Sequence, residues 1–217
     1  MNLEINHIFI FCDNHDEVAQ ELIDFGFTEG SGRIHPNQGT ENRKFHFKNF
    51  YLELLWVHNR KEVTNALTSS TKLYERSMYH VNGYSPFGLC LNYDTNDDTL
   101  FQNALIYKPT YLPFDMHIEV LIHDDTPSLP WTFRWKADRY IDINSEFVAH
   151  ENAIKTLTKA VFSLPKGKEA LTYTKHFKNT GILYFEDSRE ISLTLFFDNA
   201  QTKYKKVFDT VSLVIEY

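Results

Sequence analysis

The sequence predicts an α+β fold made of repeated modules, each with one strand, one helix and three further strands. At three places a short apolar strand runs into a helix-capping cluster and an amphipathic helix, and further strand-like segments follow. Equivalent strand positions, His7, Gly88 and Lys159, lie 81 and 71 residues apart. Aromatic residues make up 15% of the chain, which favours strands over helices.

The first module is predicted to begin with a strand over Ile5–Phe11. The polar pair at 13–14 caps a helix in which apolar residues recur at helical spacing, and Gly26 ends it. Two irregular segments then precede a strongly apolar strand over 50–57. This order matches one complete module.

The second module starts with a strand over Phe87–Leu91, followed by a polar cap at 94–96 and a helix that carries Leu100 and Phe101. Only two strand segments stand out after that helix, over 117–122 and 131–135. The second module is therefore predicted to be shortened.

The third module combines a strand over 157–164, a helix over 169–177 and three later strand segments. Polar connections separate the modules, and the first of them is predicted to contain a helix around 63–67. We expect all parts to form one compact unit. The predicted divisions are the first module at 1–58, a helical connection at 59–84, the second module at 85–136, a linker at 137–153 and the third module at 154–217.

Composition and charge limit the classes of function. The formal net charge is −7, which gives no overall electrostatic drive toward nucleic acid. No apolar run is long enough to span a bilayer, and the first residues lack the pattern of a secretory signal. Cys12 and Cys90 cannot build a disulfide framework, which suits a reducing compartment. We expect a cytoplasmic protein that binds neither nucleic acid nor membranes.

Three segments of the first module resemble the glyoxalase-like branch of the vicinal oxygen chelate superfamily. They are Asn-His-Ile-Phe-Ile at 6–10, His-Pro-Asn-Gln-Gly-Thr-Glu-Asn at 35–42 and Tyr-Leu-Glu-Leu-Leu at 51–55, with weaker matches at 86–89, 130–135 and 150–153. The resemblance implies βαβββ modules whose mixed or antiparallel sheets curl around a cup, with helices outside. It also implies, in enzyme members, a divalent metal in that cup that chelates two neighbouring substrate oxygens.

The resemblance places His7 and Glu53 at metal-ligand positions of the first and last strands. The implied metal is Mn, Fe, Ni or Zn, and Glu53 would be the catalytic residue. A catalytic metal usually keeps three protein ligands. Gly88 and Lys159 stand at the positions that match His7, and Val214 stands where Glu53 would be matched. The third ligand is therefore not identified.

Glu53 is also the strongest signal from physical chemistry. Its strand is apolar on both faces, so the carboxylate is expected to be buried and to need a cation, a donor or a proton. A metal ion, His7 and Arg43 are the candidate partners. If a three-residue turn closes the hairpin, Phe45 faces Glu53 and Arg43 lies diagonally near it.

The segment around His35, Gly39, Thr40 and Asn42 has the composition of a loop. Its exposed amides are candidates for holding an anionic or carbonyl oxygen of a substrate. The alternative is a turn that only orders the following hairpin. With Arg43, these four residues form the predicted substrate-binding set on this side.

Trp131 and Trp135 alternate on one strand face, with Arg134 on the other. They either wall a substrate pocket or pack in the core. His117 and Glu119 share a face opposite an apolar one, so this polar pair is expected to point to water.

The sequence thus predicts a glyoxalase-like protein that binds a small oxygen-bearing organic molecule in a cup. As an enzyme it would be a metal-dependent lyase or isomerase acting next to a carbonyl. The main alternative is a metal-free protein that sequesters its ligand, as resistance proteins of this fold do. A third is a structural or regulatory module whose own side chains fill the cup. A homodimer is left open, because modules in this fold often pair across chains.

Overall fold

The computed structural model describes residues 3–94, 98–137, 146 and 149–217, and this part of the chain forms two β-sheets with short helices. The strands are β1 (Ile5–Phe11), β2 (Arg33–His35), β3 (Thr40–His46), β4 (Tyr51–Val57), β5 (Phe87–Leu91), β6 (Leu105–Tyr107), β7 (Met116–Val120), β8 (Trp131–Ala137), β9 (Leu157–Pro165), β10 (Leu183–Ser188), β11 (Ser192–Phe197), β12 (Lys205–Phe208) and β13 (Leu213–Glu216). The helices are α1 (His15–Asp24), α2 (Arg60–Val63), α3 (Leu73–Ser77), α4 (Tyr79–Asn82), α5 (Asp98–Phe101) and α6 (Thr172–His176), with 3-10 turns at Ser69–Thr71, Asp198–Ala200 and Asp209–Val211. The predicted α+β class is confirmed.

The first two modules share one curled sheet of eight strands, in the order β2-β3-β4-β1-β5-β8-β7-β6. β1 and β5 pair antiparallel at its centre, and each runs parallel to the last strand of its own module. The second module, expected to be shortened, has all three strands after its helix. Its β6 has only three residues, too few to show a period in the sequence.

β1 shows how alternation builds a core on both sides of this sheet. Ile8 and Ile10 point toward the five-stranded sheet and pack in the larger core, together with Val18 and Leu22 of α1. Phe9 and Phe11 point to the concave side and pack in a second, aromatic cluster. α1 begins directly after the predicted cap, and Gly26 follows its end with a φ of +104°.

The third module forms a separate sheet in the order β10-β9-β11-β13-β12. Its apolar face, including Phe162 and Leu195, packs in the larger core on the convex side of the eight-stranded sheet. On its other face, the Lys159 ammonium lies 3.6 Å from the centre of the Phe196 ring. Unlike β1, β9 runs parallel to the strand that follows its helix. The third module therefore supports the cup from outside.

A buried ion pair joins β7 to β8 on the convex side. Arg134 Nε lies 2.6 Å from Glu119 Oε2, and Arg134 Nη2 lies 2.7 Å from Asp98 Oδ1. The expectation that Glu119 points to water is wrong, since it is 7% exposed and Arg134 neutralises it. His117 is partly buried, and its Nε2 lies 3.7 Å from Glu119 Oε1.

The connection at 59–84 contains α2, α3 and α4. The helix expected around 63–67 lies earlier in the chain, since α2 ends at Val63 and residues 64–67 form a turn. The predicted cap at 94–96 and the linker at 137–153 lie partly outside the described residues. Among the helices that the structure describes, none has the length and apolar character needed to cross a membrane.

Candidate functional site on the concave face

Glu53 lies in the middle of β4 and faces the concave side of the eight-stranded sheet. Leu52 and Leu54 on either side pack in the larger core, so alternation turns Glu53 the other way. His7 on the parallel strand β1 and Lys44 on β3 share this face. The group that we call the Glu53 cluster consists of His7, Asn42, Lys44, Tyr51 and Glu53.

The register of the β3–β4 hairpin differs from the prediction by one residue. His46 pairs with Tyr51, so four residues close the hairpin instead of the expected three. Because side chains alternate, this difference places Lys44 opposite Glu53 and turns Phe45 into the larger core. The expectation that Phe45 faces Glu53 is wrong.

Arg43 is turned away from the cluster by the same register. Its Nη2 lies 2.6 Å from Glu29 Oε2, and its Nη1 lies 2.8 Å from Asp16 Oδ1. These carboxylates raise the pKa of the guanidinium. Arg43 therefore neutralises Asp16 and Glu29, and of the three candidate partners of Glu53 it is excluded.

Asn42 provides the hydrogen bond that holds the Glu53 carboxyl. Its Nδ2 donates to Glu53 Oε1 at 2.5 Å, while its Oδ1 accepts from the backbone N–H of Arg33 at 2.8 Å. The bond from Arg33 defines which end of the amide faces Glu53. The other carboxyl oxygen, Glu53 Oε2, lies 3.4 Å from His7 Nε2.

A chain of amides determines the tautomer of His7. Asn6 Nδ2 donates to Asn92 Oδ1 at 2.9 Å, so the Asn6 oxygen is left to accept from His7 Nδ1 at 2.6 Å. With its proton on Nδ1, His7 presents the lone pair of Nε2 to Glu53 Oε2. The ring is held by stacking on Tyr51, with 4.3 Å between ring centres. The lone pairs of His7 Nε2 and of an ionised Glu53 Oε2 therefore face each other.

Burial controls the charges of this pair. It raises the pKa of Glu53 from 4.5 to about 7, against the lowering effects of the Asn42 hydrogen bond and the Lys44 charge. It also takes the pKa of His7 well below 6.5, assisted by the charges of Lys44, His35 and His46. At neutral pH, His7 is thus uncharged and Glu53 is close to its titration midpoint. A proton on Glu53 would satisfy both lone pairs.

Replacing Asn42 by Ala is expected to raise the pKa of Glu53 above about 7, because the variant loses the donor that stabilises the carboxylate. The measurement is a pH titration of the Glu53 carboxyl carbon by NMR. Gln38→Ala is the control, since Gln38 donates to Thr40 and makes no hydrogen bond to Glu53. A Glu53 titration that stays unchanged in Asn42→Ala would contradict this account.

The loop before β3 uses its polar groups internally. The amides of Gln38 and Gly39 both donate to the carbonyl of His35, and His35 Nδ1 and Gln38 Nε2 both contact Thr40 Oγ1. A Cβ on Gly39 would lie 2.3 Å from the carbonyl oxygen of Asn59, so only glycine allows this close approach. The arrangement favours the alternative in which the loop orders the hairpin.

Trp131 and Trp135 have different environments. Trp131 is 4% exposed, packs against Phe9 and Phe133, and donates from Nε1 to the carbonyl of Thr71 at 2.7 Å. Trp135 is partly buried, and its ring centre lies 6.2 Å from that of His7. Its Nε1 is buried without a hydrogen-bond partner among the described residues. Trp135, but not Trp131, therefore borders the Glu53 cluster.

Sequence reasoning missed two members of the Glu53 cluster, Lys44 and Tyr51, and also Asn6, which orients His7. Lys44 would have followed from alternation if the four-residue closure of the hairpin had been known. Tyr51 lies within the segment that carried the family resemblance, two residues before Glu53 on the same face. Asn6 also lies within a segment that carried the resemblance, but its role depends on Asn92 in another module, which no local pattern shows.

The described residues do not fit a metal centre with three protein ligands. They contain no group of three or more His, Cys, Asp or Glu side chains arranged to hold a metal ion. His7 and Glu53 supply two donors. At Gly88, a Cβ would lie 2.0 Å from Phe9 Cε1, so the Phe9 ring takes the space that a ligand side chain would need. Lys159 and Val214 lie in the other sheet.

Comparison with known families finds a match over the part of the chain that contains β1 to β5, including Glu53. Residues 5–97 match the model of a family described as a glyoxalase-like domain. Over these residues, which are less than half of the chain, the sequence is similar to the glyoxalase-like family. The resemblance predicted from the first module is thereby confirmed for this range, which includes His7 and Glu53. No curated protein matches the sequence.

Among solved structures, a hypothetical protein from Staphylococcus aureus is similar over 99% of both chains, with a TM-score of 0.62 and 16% identity. At this identity the likeness concerns the fold alone. A hypothetical protein from Bacillus halodurans has a TM-score of 0.43 and 9% identity, over 65% of this chain and 99% of that one. A mutant 4-hydroxymandelate synthase from Streptomyces coelicolor has a TM-score of 0.46 and 10% identity, over 99% of this chain and 62% of that one. These two likenesses are too weak to carry an argument.

Proposed function

We propose that this glyoxalase-like protein binds a small oxygen-bearing organic molecule on the concave face, between the Glu53 cluster and Trp135. The facing lone pairs of His7 Nε2 and Glu53 Oε2, 3.4 Å apart and buried, carry the proposal. Asn42 makes the one hydrogen bond to Glu53 among the described residues. Such a pair needs a hydrogen atom or a positive charge between or beside its members.

Trp135 supports the same location. Its indole N–H is a donor without an acceptor among the described residues, and an unpaired buried donor costs about 1–3 kcal/mol. A ligand carbonyl or hydroxyl oxygen would accept from it. The rings of Tyr51 and Phe133, which contact His7 from two sides, supply flat apolar walls for a small molecule.

Proton transfer next to a carbonyl is the chemistry that suits this cluster. Glu53, with a pKa of about 7, can both accept and return a proton near neutral pH. Lys44, opposite Glu53 on β3, would stabilise negative charge on an enolate oxygen. The proposed reaction class is therefore isomerase or lyase. If the probe below binds without such proton transfer, the alternative of ligand sequestration applies.

The test uses hydroxyacetone, an uncharged probe with adjacent carbonyl and hydroxyl oxygens. We expect it to shift the indole N–H signal of Trp135 in a ¹H–¹⁵N NMR spectrum and to leave that of Trp131, already bonded to Thr71, in place. Glu53→Gln should weaken binding by about tenfold, the effect of one hydrogen bond to a charged group. Exchange of the probe's methylene hydrogens with D₂O reports proton transfer.

Two outcomes would contradict this proposal. One is the lack of any shift at saturating hydroxyacetone, and the other is an equal shift of both indole signals. Trp135→Phe is the matched control for the contact, since it keeps the ring wall and removes the donor.

The metal-dependent form of this function has one observation in its favour. The Asn6–His7 hydrogen bond orients the Nε2 lone pair toward Glu53, as outer partners orient a metal-binding histidine. Elemental analysis of protein purified without a metal-affinity step is the test. Near-stoichiometric Mn, Fe, Ni or Zn that is lost in Glu53→Gln would support the metal, and a metal-free protein that binds hydroxyacetone would support direct binding.

A further inference from the structure

A second cleft lies on the convex side of the eight-stranded sheet, away from the Glu53 cluster. It opens between α5, the segment that follows β7 and α6, and its volume is about 430 Å³. Its described lining includes no acidic side chain, although the chain as a whole carries a net charge of −7. The lining residues are Thr99, Leu100, Asn103, Leu121, Ile122, His123, Thr172, Tyr173 and His176.

His123 presents an unused polar atom in this cleft. Its Nε2 is buried and has no hydrogen-bond partner among the described residues. The ring packs edge-on against Tyr173, with 4.9 Å between ring centres, and Tyr173 is itself anchored through its hydroxyl to Thr132 Oγ1 at 2.5 Å. Burial and the nearby charge of Arg76 lower the pKa of His123 to about 4, so the ring is neutral at pH 7. A neutral ring can donate one hydrogen bond from Nε2.

Arg76 does not line the cleft, but it is a buried cation whose charge acts on two of the lining residues, His123 and Tyr173. It is 1% exposed, and its Nη1 donates to the carbonyls of Ser85 and Leu129 at 3.1 and 2.9 Å. Its Nε has no hydrogen-bond partner among the described residues, and its charge acts on both His123 and Tyr173. Burial lowers its pKa to about 9, and no described carboxylate offsets this, so the group stays charged at neutral pH.

These features select for a particular ligand chemistry. Carbonyl oxygens and the Tyr84 ring, whose centre lies 5.5 Å from the guanidinium carbon, contact Arg76, but no described carboxylate neutralises it. A buried cation of this kind favours an anion nearby, because charges interact strongly where water is excluded. The hydroxyls of Thr99 and Thr172 and the amide of Asn103 add donors at the cleft. Leu100 and Ile122 offer apolar contact for a hydrocarbon body. The cleft therefore has a positive, donor-rich part and an apolar part.

We propose that this cleft is a binding site for a small organic carboxylate. In it, His123 Nε2 donates to the carboxylate, the charge of Arg76 stabilises the anion, and the apolar body lies against Leu100 and Ile122. This site is distinct from the concave face and holds independently of the function proposed there.

The experiment uses benzoate as the probe and benzamide as its uncharged counterpart. Calorimetry of the full chain should show benzoate binding at least about tenfold more tightly than benzamide, since a hydrogen bond to a charged group adds about that factor. NMR should show benzoate shifting the His123 ring signals and leaving the Trp135 indole signal in place. The second readout separates this cleft from the Glu53 cluster.

Variants complete the test. His123→Phe should weaken benzoate binding by about tenfold. Thr172→Val, at an exposed rim position, should weaken it severalfold. The second variant keeps the test valid if His123→Phe folds poorly. His117→Phe, on β7 and outside the cleft, is the matched control and should bind benzoate as the parent does. The proposal is overturned if benzoate and benzamide bind equally, if both cleft variants bind like the parent, or if benzoate does not perturb His123.

Discussion

Replacing Gly88 by Ala is expected to lower the free energy of unfolding by about 3 kcal/mol or more, the upper part of the range for overpacking a core. Gly88 is buried in β5, directly beside Phe9 of β1. An added Cβ would lie 2.0 to 2.3 Å from three atoms of the Phe9 ring. That ring has little room to move, because Trp131 and Phe133 pack against it.

Urea unfolding of a double-mutant cycle measures this conflict. Phe9→Leu alone should cost stability by leaving a small cavity, whereas in the Gly88→Ala background it should recover part of the loss. Strictly additive effects of the two substitutions would show that the ring of Phe9 is not the obstacle. The result also bears on the predicted repeat, in which position 88 was matched with His7.

Glu53→Gln is expected to increase the free energy of unfolding at pH 8 by about 3 kcal/mol. The pKa of Glu53 is about 7 in the folded protein and ordinarily 4.5, and this difference corresponds to that free energy. Between these two values the folded state holds a proton that the unfolded state has released, so stability falls as pH rises. Above about pH 7 the parent carries the whole stability cost of ionising Glu53, and below about pH 4.5 it carries none of this cost.

The measurement is the difference in unfolding free energy between variant and parent across pH 4.5 to 8. Taking the difference removes the contributions of buried histidines such as His7 and His35, whose lowered pKa values reduce stability on acidification in both proteins. A glutamine retains an acceptor for Asn42 and adds a donor toward His7 Nε2. A difference that does not grow with pH would contradict the raised pKa of Glu53.

Glu119→Gln is the matched control, since Glu119 is also a buried acid in the eight-stranded sheet, at 7% exposed against 5% for Glu53. It is paired with Arg134, so its loss removes the buried one of the two carboxylates that neutralise this cation and leaves the more exposed Asp98. We expect this variant to be less stable than the parent at every pH in the range. The two buried glutamates should thus respond in opposite directions.

Much of the fold was accessible from local pattern. β1, β4 and β5 were predicted because their residues form short apolar runs bounded by polar or turn-forming residues. β6 was not, since three residues cannot display a period. The burial of Glu53 followed from its apolar neighbours. The partners of Glu53 could not be predicted in the same way. The hairpin closes with one residue more than expected, so Lys44 instead of Phe45 lies opposite Glu53, and Arg43 lies on the other face of the sheet.

From the amino-acid order alone came the α+β class, the glyoxalase-like resemblance and the placement of His7 and Glu53 at one site. These depend on periodicity and short motifs, which act over a few residues. Only the tertiary structure decided that Asn6 and Asn92 orient His7, that Phe9 occupies the space beside Gly88, and that the third module packs outside the cup. Such outcomes depend on strand register and the filling of shared volume, and both are set by residues far apart in the chain.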